Sequence, residues 1–315
     1  MSDDRLLDLL VTRSEPAADG IQLFELRDPD GRPLPAFTAG SHIAVRVPSG
    51  AMRTYSLCSD PTDASHYRIA VKRDEQGRGG SRSLVDGVHT GDRLSVSTPR
   101  NLFGLVPAPS YIFVAGGIGI TPIQSMIHAL RADPAVKFKL YYLTRNAPGT
   151  AFLDALSNDA RATIHHDGGQ PDNAFDLWPV FEEPTKAHIY CCGPRPLMDA
   201  VRDMTGHWPA SQVHFEDFGS DLVRPRANDT PFTIRLAHTG GELSVPVGVT
   251  ILEVLRSHGL KLPSSCESGT CGTCRTGLLS GDVDHRDLVL TPAEQTREIM
   301  ICISRAHTGD LVLAL

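Results

Sequence analysis

Four of the seven cysteines in this chain fall within its last fifty residues, and their spacing is the strongest constraint on its fold. Cys266, Cys271 and Cys274 lie within nine residues, and Cys302 follows at a distance. Three soft thiolates this close together require the backbone to wrap around a common centre, as it does at a metal site. An odd total of seven cysteines, with four of them near one end, also suits a reducing cytoplasm and a metal site better than a disulfide framework.

The C-x4-C-x2-C run followed by one distant cysteine is the spacing of plant-type [2Fe–2S] centres. The residues between these cysteines are mostly small or polar, which permits tight backbone curvature and lets amide groups point at sulfur. A structural zinc site and free thiols are the alternatives, but structural zinc sites usually combine two pairs of closely spaced ligands. We therefore predict a [2Fe–2S] cluster held by Cys266, Cys271, Cys274 and Cys302.

The composition excludes several classes of protein. A chain of 315 residues is expected to form two or three domains, and 41% hydrophobic with 21% charged residues argues against disorder. The net charge of −7 argues against a nucleic-acid partner, which needs a basic surface. Without an apolar run long enough for a membrane span, and with an acidic start unlike a secretory signal, we expect a cytoplasmic protein with no membrane partner.

Residues 1–105 contain short β-branched or alternating runs separated by clusters of Gly and Pro, and no convincing three-turn helix. The predicted strands are Ile21–Leu26, His42–Val47, Tyr67–Val71 and Arg93–Val96. This pattern predicts an antiparallel β-barrel.

The pattern changes after residue 106 to strands that alternate with helices. Tyr111–Ala115 is a solid apolar run, and the helical spacing that follows it predicts a helix with Thr121 as N-cap and Pro122 at its first position. Further apolar strands are expected at Phe138–Leu143, Ala162–His165, Ala187–Cys192 and Val213–Phe215, with a helix at Leu197–Met204. This alternation predicts a parallel sheet with right-handed crossovers.

A polar, proline-containing stretch at Asp221–Thr230 has the composition of a linker. Beyond it, Phe232–Leu236 and Leu243–Val247 alternate as strands, and a short helix ends at Gly259. We therefore expect three domains, at residues 1–105, 106–224 and 229–315.

Two glycine-containing loops lie at the ends of predicted parallel strands. Gly116, Gly117 and Gly119 precede a helix N-terminus, where absent side chains and the helix dipole suit a pyrophosphate. The run is not a complete G-x-G-x-x-G, so a tight turn is the alternative. Cys192-Gly193-Pro194 repeats the arrangement on a later strand, and ligands of open α/β sheets bind at such carboxyl ends.

In the predicted barrel, the run Arg53-Thr54-Tyr55-Ser56 offers a cation for phosphate, an aromatic ring to pack on a flavin and a hydroxyl for a flavin nitrogen. The loop Gly79-Gly80-Ser81 offers amides and a hydroxyl that suit a phosphate. An edge strand and a hairpin are the respective alternatives.

These motifs carry a resemblance to known families. The last 87 residues resemble a plant-type ferredoxin, which implies a β-grasp fold with Cys302 delivered by a strand Ile299–Ile303. The glycine loop and Cys-Gly-Pro run resemble the NAD(P)-binding domain of the ferredoxin–NADP reductase superfamily, whose flavin motif matches Arg53–Ser56. The order of the parts resembles the phthalate dioxygenase reductase and vanillate O-demethylase reductase family, over essentially the whole chain.

The resemblance implies an FMN-binding β-barrel, an NAD-binding α/β domain and a [2Fe–2S] ferredoxin-like domain. It further implies an NADH-dependent reductase that passes electrons from NADH through FMN and the cluster to the terminal component of a Rieske-type oxygenase acting in aromatic hydroxylation or O-demethylation. The alternatives are a reductase for another acceptor, such as a quaternary-amine monooxygenase or a cytochrome, and an iron–sulfur redox sensor without turnover.

The same resemblance assigns the site residues. Ser56 is expected near the flavin N5, and Cys192 beside the nicotinamide, with Glu216 as the third catalytic residue. The expected cofactor-binding residues are Arg53, Thr54, Tyr55, Ser56, Ala70, Val71, Lys72, Gly79, Gly80, Ser81, Gly116, Gly117, Gly119, Thr121, Arg145, Cys192, Gly193, Pro194 and Phe218.

Overall fold

The computed structural model describes residues 6–131, 133, 135–219, 226–264 and 267–315. The chain divides into two compact units, of which the first comprises residues up to Asp74 together with Gly80–Asp217. The second comprises Glu75–Gly79 and Phe218–Leu315. Residues 221–225 of the expected linker, and Cys266, lie outside the described residues, and the three domain boundaries stay a prediction. No helix among the described residues is long and apolar enough to cross a bilayer.

The first unit begins with the predicted antiparallel barrel. Its strands are β1 (Leu7–Ala18), β2 (Ile21–Arg27), β3 (Ser41–Arg46), β4 (Met52–Ser56), β5 (Tyr67–Lys72), β6 (Arg93–Val96) and β7 (Arg100–Asn101). They pair in the order β4-β3-β6-β1-β2-β5, with β7 beside β3, and a bridge between Leu57 and Ile69 joins the two ends. The predicted strands did not include β1, where two register shifts interrupt the alternation, or the short β4 and β7. The sequence also did not predict α1 (Gly80–Gly87).

The second part of the first unit is the predicted parallel sheet. It contains β8 (Ser110–Gly116), β9 (Lys137–Thr144), β10 (Ala162–His166), β11 (His188–Cys192) and β12 (Val213–Glu216), in the order β10-β9-β8-β11-β12. Its helices are α2 (Ile120–Arg131), α3 (Leu153–Ser157), α4 (Trp178–Phe181) and α5 (Arg195–Met204). All of the sheet's strand pairs are parallel, as the alternation of strands and helices predicts.

The predicted start of α2 is wrong. A 3-10 turn at Gly117–Gly119 leads directly into the helix, so α2 begins at Ile120 and Thr121 lies inside it. The Thr121 hydroxyl donates to the Ile118 carbonyl oxygen at 3.0 Å and does not cap the helix. Because glycines form the 3-10 turn, the helical backbone starts before Thr121, although threonine often serves as an N-cap.

Two buried tyrosines hold the connection between the barrel and the parallel sheet. The Tyr190 hydroxyl donates to the Gly104 carbonyl oxygen at 3.1 Å and accepts from the Val106 amide at 2.7 Å. The Tyr111 hydroxyl donates to the Val106 carbonyl oxygen at 2.9 Å. One apolar core contains side chains from both parts, which is why they form one compact unit.

The second unit has the β-grasp topology implied by the resemblance. It contains β13 (Phe232–Leu236), β14 (Glu242–Val245), β15 (Arg275–Asp284), β16 (Glu298–Met300) and β17 (Arg305–Leu313), with α6 (Ile251–Ser257) and α7 (Pro292–Gln295). The sheet order is β14-β13-β17-β15-β16, and β13 and β17 are the parallel pair. Cys302 is not on a strand as expected, because β16 ends at Met300 and a turn follows.

Glu25 is a buried carboxylate of the barrel that depends on its charged neighbours. It accepts hydrogen bonds from Arg68 at 2.7 Å, from Arg27 at 2.9 Å and from the Thr12 hydroxyl at 3.0 Å. Burial alone would raise the pKa of Glu25, but these hydrogen bonds outweigh it and lower the pKa from its ordinary 4.5 to about 2. The stabilisation is therefore present above pH 4.5 and is lost as the pH falls towards 2.

We predict that Glu25→Gln lowers the free energy of unfolding by about 3 kcal/mol at pH 7 and by less than half as much at pH 3. Urea unfolding followed by circular dichroism at both pH values measures the two losses. Glu15→Gln, at an exposed glutamate of β1, is the matched control and should change stability little. Equal losses for Glu25→Gln at both pH values would contradict the charge assignment.

Candidate flavin, nucleotide and iron–sulfur sites

The expected flavin motif lies on β4 of the barrel, which pairs with β3. Arg53, Thr54 and Tyr55 are half-buried, and Ser56 is buried opposite His42. Burial raises the pKa of the Tyr55 phenol well above its ordinary value, although the Arg53 charge acts in the opposite direction. Tyr55 is therefore a neutral phenol, which suits packing against an uncharged ring system.

Arg53 lies against the N-terminus of α1. A methyl group added at Gly80 would lie 2.8 Å from both Cγ and Nε of Arg53, so the missing side chain makes room for the arginine. The Ser81 hydroxyl oxygen accepts from the Asp74 amide at 3.1 Å, and Gly79 has a φ of +81° that favours glycine. A guanidinium beside a helix N-terminus fits a phosphate group, so these residues suit the phosphate end of a flavin.

The residues Ala70, Val71 and Lys72 end strand β5, which lies against the Gly117–Gly119 turn. The side chains of Ala70 and Val71 are buried in the apolar cores and can offer a cofactor only their backbone groups. Lys72 is exposed. Strand β5, which is expected to contact the flavin, and the Gly117–Gly119 turn, which is expected to bind the nucleotide, are therefore neighbours.

The glycine loops after β8 and β11 are in backbone contact with each other. A methyl group at Gly119 would lie 2.1 Å from the Cys192 carbonyl oxygen, and one at Gly193 would lie 2.8 Å from Gly116 Cα. A methyl group at Gly116 would lie 2.5 Å from Pro194 Cδ. These three glycines are therefore required by the contact between the two loops.

Gly117 differs from the other three glycines. It has a φ of +53°, and a methyl group there would meet nothing within 4 Å. Its missing side chain faces open space at the start of α2, where a pyrophosphate would approach the backbone. Of the four loop glycines, Gly117 is the one whose position fits the predicted role in nucleotide binding.

Two of the three expected catalytic residues are adjacent. Cys192 and Glu216 are register neighbours at the carboxyl ends of β11 and β12, whereas Ser56 lies on β4 of the other sheet. Complete burial raises the pKa of Cys192, and the nearby charges of Glu216 and Asp217 raise it further. Cys192 is therefore a neutral thiol and not a reactive thiolate, and its expected place beside the nicotinamide stays a prediction.

Two further residues expected to bind a cofactor are Arg145 and Phe218, and their roles stay predictions. Arg145 is exposed directly after β9, and its carbonyl oxygen accepts from the Gly168 amide beyond β10. Phe218 is 37% exposed at the start of the second unit. Arg195, directly after Cys-Gly-Pro, forms an ion pair that the sequence did not predict, with its Nη1 3.3 Å from Asp217 Oδ2.

The segment from residue 266 to residue 274, which contains three of the predicted ligands, is called the predicted cluster loop. In the second unit, its described part packs against the segment that carries Cys302. A methyl group at Gly269 would lie 2.9 Å from Ile303 Cγ2, and the Gly269 carbonyl oxygen accepts from the Leu288 amide at 3.0 Å. Cys274 and Cys302 are buried, and Cys271 is half-buried. The left-handed backbone at Glu267, Gly269 and Gly272 gives the loop its curvature.

The donor set of this loop fits an iron–sulfur cluster. Cys271 Sγ lies 3.2 Å from the Thr273 hydroxyl, which can donate to the sulfur when the sulfur is a thiolate. Among the residues that the structure describes, no three His, Cys, Asp or Glu side chains are arranged around one ion. A binuclear cluster divides four thiolates between two irons, and Cys266 lies outside the described residues. The four-ligand set therefore stays a prediction.

Comparison with known proteins decides the family. A model described as an oxidoreductase FAD-binding domain matches residues 9–104, and a 2Fe-2S iron-sulfur cluster binding domain matches residues 234–307. The chain is 53% identical to phthalate dioxygenase reductase of Burkholderia cepacia over 99% of this chain and 98% of that protein. The chain belongs to the phthalate dioxygenase reductase family.

Other relatives agree with this assignment. A solved structure of phthalate dioxygenase reductase, described as modular for electron transfer from pyridine nucleotides to [2Fe–2S], has a TM-score of 0.91 and 51% identity over 99% of each chain. The carnitine monooxygenase reductase subunit of Escherichia coli (strain K12) is 40% identical over 100% of both chains. The expected multidomain fold is confirmed, and the protein is a flavin and iron–sulfur oxidoreductase of the electron-transfer type.

We predict that Gly117→Ala and Gly119→Ala have different effects. Gly117→Ala places a methyl group on the nucleotide side and should raise the NADH concentration needed for half-maximal flavin reduction about tenfold, an affinity loss of about 1.4 kcal/mol. Gly119→Ala forces the two loops apart and should destabilise the first unit by about 3 kcal/mol. Stopped-flow flavin reduction and thermal unfolding measure the two effects.

Gly50→Ala is the matched control for Gly117→Ala. Gly50 also has a positive φ, +85°, and open space around it, but it lies in a barrel turn. Gly50→Ala should introduce the same backbone strain without changing the NADH concentration needed for half-maximal flavin reduction. If Gly117→Ala and Gly50→Ala had the same NADH dependence, the loop would be only a turn.

Proposed function

We propose that this chain is the NADH-dependent reductase component of a multicomponent oxygenase, with FMN and a [2Fe–2S] cluster as its resident groups. The observation that carries the proposal is the contact between β5 and the Gly117–Gly119 turn. The residues of β5 are expected to contact the flavin, and the Gly117–Gly119 turn is expected to bind the pyrophosphate. Their contact brings the two together at the carboxyl edge of the parallel sheet, where α/β folds bind nucleotides.

The residues of the first unit bind and orient. Arg53 and the N-terminus of α1 would hold the flavin phosphate, while Tyr55 packs against the ring and Ser56 lies near its N5. Cys192 and Glu216, neighbours at the strand ends, would border the nicotinamide. When bound, the flavin accepts two electrons together and releases them singly, which couples a hydride donor to a one-electron acceptor.

The cysteines of the second unit would hold the cluster. Cys266, Cys271, Cys274 and Cys302 supply four soft thiolates, and the glycines of the loop let the backbone approach the sulfur atoms. The domain model that matches residues 234–307 supports this ligand set. The Thr273 hydroxyl beside Cys271 would stabilise its thiolate form.

The partner proposed here is a terminal oxygenase of the Rieske type. The higher identity to a phthalate dioxygenase reductase than to a carnitine monooxygenase reductase subunit supports an aromatic-ring oxygenase over a quaternary-amine monooxygenase. A cytochrome acceptor and a non-turnover sensor are the further alternatives. The reducing cytoplasm predicted from the cysteine distribution also belongs to this proposal.

A cysteine substitution separates electron transfer from NADH to the flavin from electron transfer through the cluster. Cys271→Ser should remove the cluster's visible and reduced-state EPR signals, because serine oxygen is a poor substitute for a soft thiolate. NADH-dependent reduction of ferricyanide, which accepts electrons directly from flavin, should remain within about twofold, and reduction of cytochrome c or of a phthalate-type oxygenase should fall at least about tenfold. Steady-state assays with each acceptor measure these rates.

Cys58→Ser is the matched control. Cys58 is buried in the barrel, and its sulfur lies 3.4 Å from the Arg68 carbonyl oxygen, a contact that serine can keep. This variant should retain the cluster and every activity. Zinc in place of iron in the native protein, or full oxygenase support by Cys271→Ser, would show that the cluster is not on the electron path.

A further prediction concerns the identity of the flavin and its binding. We expect the flavin released by heating to migrate as FMN in chromatography. The reason is the order of the domains, because the resemblance to reductases with a C-terminal ferredoxin domain implies FMN. Arg53→Gln should release the flavin more readily, since it removes the cation beside the N-terminus of α1. Recovery of FAD would overturn the FMN assignment but leave the reductase function standing.

A further inference from the structure

An ion pair lies beside the first residue of the predicted cluster loop. Arg256 Nη1 donates to Glu267 Oε1 at 2.6 Å, and the Ser264 hydroxyl donates to the same oxygen at 2.9 Å. Arg256 Nη2 also donates to the Ser264 hydroxyl oxygen. The three side chains therefore form a closed set of hydrogen bonds around one carboxylate.

Glu267 occupies an unusual backbone conformation. Its φ of +52° is in the left-handed region, which disfavours residues other than glycine, and it directly follows Cys266 in the sequence. Only 11% of its side chain is exposed. A half-buried carboxylate next to a predicted ligand needs a compensating positive charge, and Arg256 supplies it.

Helix α6 connects this ion pair to the other end of the ligand set. Arg256 lies in its last turn, and the Leu252 amide near its start donates to the Ile301 carbonyl oxygen at 2.9 Å, next to Cys302. The capping box between Thr250 and Glu253 fixes the start of the helix. One short helix thus contacts the chain beside both Cys266 and Cys302.

The charges near the loop distinguish this pair from its neighbours. Arg275, after Cys274, is already shared between Glu294 at 3.0 Å and Glu298 at 3.1 Å. Arg256 has Glu267 as its ion-pair partner. An electron that enters a thiolate-bound cluster adds negative charge, so an unbalanced Glu267 carboxylate would oppose it and an unbalanced Arg256 would favour it.

We propose that Arg256 and Glu267 form a charge-balanced positioning pair, in which each charge cancels the effect of the other on the reduction potential of the cluster. The inference rests on the proposed function, in that it requires the cluster to be bound in this loop. Arg256 acts through Glu267 and the backbone beside Cys266, and both side chains are positioning residues.

The test compares Arg256→Gln, Glu267→Gln and the double variant in the full-length protein. Arg256→Gln should lower the ratio of reduced to oxidised cluster at a fixed potential about tenfold, which corresponds to 59 mV for one electron. Glu267→Gln should raise the ratio by a similar factor, and the double variant should lie within about twofold of the native protein. Redox titration followed by EPR and visible circular dichroism measures the ratio.

Two controls separate charge from structure. Arg235→Gln makes the same charge change in an exposed pair of β13 and β14, and it should leave the potential unchanged. Ser264→Ala removes a hydrogen bond but no charge and should shift the ratio less than Arg256→Gln. If Arg256→Gln loses the cluster, Arg256→Lys should restore it with a near-native potential, and Glu267→Gln still reports the predicted upward shift.

Shifts in the same direction for both single variants, or no shift in either, would overturn the charge-pair proposal. In those cases the ion pair would serve only to hold the loop. NADH-dependent flavin reduction should be unchanged in every variant. A native protein without iron would instead overturn the proposed function, so the two failures are distinguishable.

Discussion

The contact between the loops that follow β8 and β11 determines the geometry of the first unit. Gly119 lies so close to the Cys192 carbonyl that even one methyl group would separate the two loops. Because the strands are adjacent and parallel, their carboxyl ends reach the same edge of the sheet. Gly117 faces open space beside this loop contact, and the pairing of β11 with β12 places Cys192 beside Glu216.

The barrel is held to this edge by a second set of buried contacts. Tyr190 and Tyr111 bind the connecting chain at Val106, and the Gly40 amide of the barrel donates to Ser125 of α2 at 3.0 Å. These hydrogen bonds and a shared apolar core fix β5 against the Gly117–Gly119 turn. The two candidate sites therefore belong to one packed unit, an arrangement that suits hydride transfer between bound groups.

Burial keeps two ionisable side chains of the first unit neutral over a wider pH range. It raises the pKa of Tyr55 and of Cys192, which are already neutral at neutral pH, so both stay neutral in more alkaline solution as well. In the second unit, the half-buried Glu267 is matched by Arg256. In the first unit, the carboxylates of Glu216 and Asp217 beside Cys192 are the charged exception.

The sequence by itself determined the features that depend on neighbouring residues. The cysteine spacing, the change from alternating runs to alternating strands and helices, and the loops at the ends of buried strands all follow from local chemistry and periodicity. The tertiary structure alone decided that Thr121 lies inside α2, that Cys302 follows a strand, and that Gly119 serves a loop contact. It alone paired Arg256 with Glu267. The loop contact of Gly119 depends on which distant segments meet, and no local pattern encodes that meeting.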